Sequence, residues 1–162
     1  MLPNSSLISK VIVEAHESSN FLIMDSFFPH NFLNKDCYFN TLKNELIIQN
    51  HMGEILVIDR YSVDGKKFIC TNKNNFFNDY IFHGTIIIFC PNKNHLSLIL
   101  KCKKELEKSK EFYASASSLP GDIGISIKIL AKNAIDLKKA LSKVWVQSRL
   151  FFFKEYPNPR RK

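Results

Sequence analysis

The stretch from Asn133 to Lys162, NAIDLKKALSKVWVQSRLFFFKEYPNPRRK, decides how the rest of the chain is read. Leu137, Leu141, Val144, Trp145, Ser148 and Phe152 recur at spacings of three and four, which places them along one face of a helix. Asp136, Lys138, Lys139, Lys143 and Gln147 fall mostly on the other side. Asn133 suits the N-cap, because its side-chain oxygen can accept from an otherwise unpaired first-turn N–H. Asp136 then lies near the positive end of the helix dipole. The helix must stop before Pro157, which has no N–H to donate and pushes Tyr156 out of helical geometry. A short basic tail follows. The apolar content exceeds what one face needs: Trp145, Val146, Leu150 and the run Phe151–Phe152–Phe153 spread round the cylinder. They can bury against the rest of the chain, as large apolar residues usually do. Alternatively, some form a docking surface, since large apolar patches are uncommon on monomers.

Working outward, the 162 residues are expected to form one domain, with 45% hydrophobic content and 14 phenylalanines marking a globular chain. Leu7–Ala15 alternates as a half-buried strand, and Phe21–Phe28 is a second apolar run ended by Pro29. Cys37–Gln49 reads as a longer strand, turned by Asn50–Gly53 into Glu54–Val63. Asp64-Gly65 is a second turn signal, after which Lys66–Thr71 is expected to pair back as a strand. Residues 1–72 thus read as a β meander. Asn72–Asp79 is a polar loop holding Phe76 and Phe77.

Tyr80–Cys90 (YIFHGTIIIFC) is the most strand-like segment, and Asn94 can cap a helix running to about Lys110 with Ile99, Cys102 and Leu106 on one stripe. Phe112–Ser118 and Gly124–Leu130 predict two strands joined at Pro120-Gly121-Asp122. Residues 80–153 therefore form a strand–helix–strand–strand–helix unit, with 154–162 as the basic tail. The class is α+β, mostly antiparallel.

The net charge of +8, from 23 Lys+Arg against 15 Asp+Glu, is carried largely by lysines scattered singly or in pairs. Compositional drift explains that pattern more cheaply than a phosphate-binding stripe. Cys37, Cys70, Cys90 and Cys102 show no CxxC spacing, and nothing marks secretion, so free cytosolic thiols are expected. No apolar run approaches a membrane span, and a soluble cytoplasmic protein without membrane contact is expected.

Catalytic chemistry needs convergent polar groups, and few are offered. His16, His30, His51, His83 and His95 form no HxH or HxxxH unit. Cys37 and His51 can approach across the proposed hairpin, a weak basis for a metal pair. His83, beside Gly84 in an apolar strand, reads as a packed or edge histidine. Asp59-Arg60 lies mid-strand and reads as ion-pairing with other strands. There is no phosphate-binding Gly-rich loop and no GxSxG elbow. The chain does not read as an enzyme.

The ordered set of segments resembles the UreD family of urease accessory proteins (UreH in some bacteria), over roughly Cys37 to Arg160. The matching pieces are Ile58-Asp59-Arg60-Tyr61-Ser62-Val63-Asp64-Gly65, the Gly84-Thr85 strand ending at Pro91, and the small-residue strand Ala114-Ser115-Ala116-Ser117. Ile127-Lys128-Ile129-Leu130, Val144-Trp145 with Arg149 four residues on, and Pro159-Arg160 complete the set. Leu150 stands where the family usually has proline, and the chain is expected to correspond to the C-terminal part, without the family's large N-terminal β region.

The resemblance implies a non-catalytic scaffold or chaperone of metallocentre assembly. It would join UreF-like and UreG-like accessory proteins on the urease apoprotein, with nickel handled transiently by the complex and no tightly bound cofactor. It also implies a C-terminal helical region that engages UreF, with Trp145, Arg149, Phe152, Pro159 and Arg160 as partner-binding candidates; it names no metal residues. Two other readings come from the residues themselves. One is a basic nucleic-acid-binding module stacking bases on Phe76 and Phe77. The other is a thiol enzyme using Cys90, which lacks a positioned base.

Overall fold

A computed structural model describes the chain at residues 2–28, 38–70, 80–91 and 94–156. Among these residues seven strands form two sheets. Strands β1 (Ser6–Glu14), β3 (Thr41–Gln49) and β4 (Ile55–Asp64) make one, in the order β1-β3-β4. Strands β2 (Phe21–Phe27), β5 (Phe82–Phe89), β6 (Phe112–Ser118) and β7 (Gly124–Ala131) make the other, in the order β2-β5-β7-β6. Helices α2 (His95–Glu107) and α3 (Ala134–Phe153) cover one face of the four-stranded sheet. The α+β class and the strand–helix–strand–strand–helix order of the second half are as the sequence predicts.

Strand β5 shows why the layers stack this way. Successive side chains of a strand point to opposite faces, so a near-continuous apolar run must be covered twice. Ile86 and Ile88 face the helices, packing with Leu98, Ile127 and Val144. Ile87 and Phe89 face the three-stranded sheet, meeting Leu46, Ile48 and Val57. Gly84 lets α3 come close, since a Cβ there would lie 2.8 Å from a Leu137 methyl.

The first half departs from consecutive hairpins. Among its described strands, β1 to β4, only β3 and β4 pair as neighbours in sequence, turned at Asn50–Gly53, where Asn50 Oδ1 accepts from the N–H groups of Met52 and Glu54. Strand β1 runs parallel to β3, Ser6 opposite Thr41 through Glu14 opposite Gln49. Strand β2 leaves for the other sheet and pairs antiparallel with β5, where Phe21 stacks on Phe89 with ring centres 4.9 Å apart.

The strand expected at Lys66–Thr71 is not formed; Gly65–Cys70 is a short helix, α1. Asp64 caps it, its Oδ1 accepting from the N–H of Lys67 at 2.9 Å. Gly65 donates its N–H to the Asn40 carbonyl, and a Cβ at this position would sit 1.8 Å from the Phe39 oxygen. The Asp-Gly pair therefore starts a helix pressed on residue 39 and makes no strand reversal.

Asn133 caps α3 as expected: its Oδ1 accepts from the N–H of Asp136 at 2.9 Å, and its amide donates to the Asp136 carboxylate. Asn94 occupies the N-cap of α2 without a side-chain capping bond. The buried stripe of α3 is Leu137, Ala140, Val144 and Ser148. Ser148 tolerates burial because its hydroxyl donates to the Val144 carbonyl at 2.8 Å. Lys154, left-handed at φ 60°, ends the helix by donating to the Leu150 carbonyl.

Candidate docking groove on the C-terminal helix

The helical stripe that packs on the sheet does not include every large apolar residue of α3. Trp145, Val146, Leu150, Phe151 and Phe152 are each half-buried, and Phe153 is 57% exposed. Trp145, Ser148, Arg149 and Phe152 stand at i, i+3, i+4 and i+7, so they line one flank together. Opposite them lies the start of β2, the edge strand of its sheet, with Asn20, Phe21 and Leu22. Between the two elements is a cleft of about 390 Å³, lined also by Phe153.

Arg149 gives the groove its polarity. Its guanidinium lies over the Phe153 ring, 4.3 Å from the ring centre. Its Nε is buried and finds no hydrogen-bond acceptor among the described residues. A buried donor without a partner has lost its hydration with nothing in exchange, an uncommon state in folded chains. Trp145, Arg149 and Phe152 are thus brought together as a set. Pro159 and Arg160 lie outside the described residues. Sequence reasoning missed Asn20, Phe21 and Leu22, because only the pairing of β2 with β5 carries them to the helix.

A second cleft, about 420 Å³, opens between the two sheets and is lined by Asp25, Asp59, Tyr61, His83 and Lys128. Its polar groups pair across the layers. Lys128 reaches both Asp59 oxygens at 2.6 Å and Thr85 Oγ1 at 3.2 Å. Asp25 accepts from Asn44 at 3.0 Å and from the Tyr61 hydroxyl at 3.1 Å. Burial, then the Asp25 charge, raises the Tyr61 pKa above its ordinary value. His83 is packed, stacked on Phe27 at 4.7 Å, and burial pushes its pKa down to about 4. Asp59 and Arg60 point to opposite faces, as expected: Arg60 pairs with Glu45 on β3. No group of three or more His, Cys, Asp or Glu among the described residues could hold a metal ion.

Cys90 and Cys102 are fully buried, and burial pushes the Cys102 thiol up to about 12. Neither is presented as a nucleophile. Cys37, Phe76 and Phe77, on which a hairpin metal pair and a base-stacking platform depend, lie outside the described residues. Lys10, Lys108, Lys128 and Lys139 each sit in an ion pair, on or beside a different element. No helix among the described residues is long and apolar enough to cross a membrane.

What fold and groove define is an α+β scaffold with a partly apolar cleft beside its C-terminal helix. The chain belongs to the UreD family: the family model described as UreD urease accessory protein matches residues 2–162. That match begins well before Cys37, where the recognisable motifs start. A curated relative named urease accessory protein UreD 1, from Pseudomonas syringae pv. syringae (strain B728a), is 22% identical over 167 residues, covering 100% of this chain and 56% of the relative. Another, urease accessory protein UreD 2 from Bradyrhizobium sp. (strain BTAi1 / ATCC BAA-1182), is 23% identical over 145 residues, covering 89% of this chain and 49% of the relative. The chain spans about half the length of these curated relatives.

Proposed function

We propose that the chain is a scaffold in urease maturation, acting by protein–protein contact in the cytoplasm and not by catalysis. It binds UreF-like and UreG-like accessory proteins and the urease apoprotein, and so assists nickel insertion into the urease active site. The single observation behind this reading is the flank of α3, where Trp145 and Phe152 remain half-buried in a groove beside Arg149. Aromatic and arginine side chains dominate interfaces when a partner completes their burial. Membership in the UreD family supports the urease side of this reading.

The test is complementation of a urease operon whose own UreD gene is deleted. Expected are restored urease activity and restored nickel content of the purified urease. Trp145→Ala should weaken retention of a UreF-like partner by about 2 kcal/mol or more. Far-ultraviolet circular dichroism of the variant checks that the helix persists. Unchanged retention by a folded Trp145→Ala protein would remove the groove from the assignment.

A further inference from the structure

The groove beside α3 has a polarity that restricts what can enter it. Arg149 carries a full positive charge, yet the groove contains no carboxylate: its described lining is aromatic, aliphatic, amide and hydroxyl. The Phe153 ring covers one face of the guanidinium. Nε itself is enclosed and has no acceptor among the described residues. The two terminal Nη groups of a guanidinium form a fork that grips a carboxylate with two parallel N–H···O bonds. A neutral carbonyl could accept from the guanidinium but would leave the charge uncompensated once a partner excludes water.

We propose that the groove receives an Asp or Glu side chain carried on an apolar segment of the partner protein, gripped by Arg149 and flanked by Trp145 and Phe152. This rests on the docking reading above and adds the chemistry of what docks. Charge complementarity selects the carboxylate, and the aromatic walls require apolar neighbours around it. An acid on a wholly polar loop would leave Trp145 and Phe152 half-covered.

The experiment uses the full chain and a purified UreF-like protein, with affinity measured by isothermal titration calorimetry. Each Asp and Glu of the partner is changed singly to Asn or Gln and tested against wild type and Arg149→Gln. Arg149→Gln should weaken binding at least about 10-fold, the usual consequence of breaking a buried charge pair. One partner acid should show a similar loss against wild type and almost none against Arg149→Gln. Arg149→Lys, which keeps the charge and loses the fork, should recover only part of the affinity.

If the partner binds in a Trp145-dependent way but every acid-to-amide change is additive with Arg149→Gln, the carboxylate proposal is overturned and the docking reading survives. Wild-type affinity in Arg149→Gln would likewise overturn the carboxylate and leave the docking reading standing. If the partner does not bind at all, both fall.

Discussion

Arg149→Met should make the isolated chain more stable while making it a poorer partner. In the folded chain Nε is buried without an acceptor among the described residues, which costs about 1–3 kcal/mol relative to a satisfied or solvated donor. Methionine keeps an unbranched stem against Trp145 and Phe152 and has no buried donor to strand. What it gives up is the cation over Phe153, at 4.3 Å, worth about 0.5–1 kcal/mol at an exposed ring. The difference favours the variant by about 1 kcal/mol. For a domain of this size that raises the melting temperature by about 2–4 °C. Urea and thermal unfolding followed by far-ultraviolet circular dichroism measure it. Fluorescence of Trp145, the single tryptophan in the chain, reports on the groove in the same samples. A variant less stable than wild type by more than about 1 kcal/mol would refute the reasoning, because Arg149 would then be holding the fold together.

Other perturbations test the framework around the groove. Asn133→Ala removes the bond to the Asp136 N–H and should cost about 1 kcal/mol, read as a lower urea midpoint with unchanged slope. Gly84→Val places a branched side chain where even a Cβ would stand 2.8 Å from Leu137 and 3.3 Å from Leu141, and should cost about 1–3 kcal/mol. Gly84→Ala, which needs two leucine methyls to shift by smaller amounts, should cost less in the same urea titration. His83, whose pKa burial lowers to about 4, favours its neutral form in the fold. Its contribution is therefore complete above the unfolded value of about 6.5 and is lost as pH falls from there toward 4, where the unfolded chain binds the extra proton. Melting temperatures from neutral pH to pH 4 should fall less steeply for His83→Gln; parallel curves would refute the assignment.

The sequence made the elements of the second half legible because each signal there is local. The run Tyr80–Cys90 needs cover on both faces whatever surrounds it, and the spacing in α3 sets its buried stripe within one residue. The first half was harder. Alternation in Leu7–Ala15 shows a strand but does not show that its neighbour is β3, or that the pairing is parallel. Asp64-Gly65 suits a hairpin and a capped helix equally; contact with residue 39, far back in the chain, selects the helix. At the groove, helical periodicity puts Trp145 and Phe152 on one face, while Arg149 comes from the family resemblance. The wall made by β2 and the orphaned Nε of Arg149 follow from neither, since both depend on which strand takes the sheet edge.

Strand β2 has a consequence for how the molecule comes apart. It sits in the helix-covered sheet, while β1 and β3, its neighbours along the backbone, lie side by side in the other. The polypeptide therefore passes from one layer to the next and returns before the β1–β3 ladder is complete, like a stitch drawn through two pieces of cloth. Loosening either layer pulls on the thread that anchors its neighbour, so the two layers should melt together in one cooperative step.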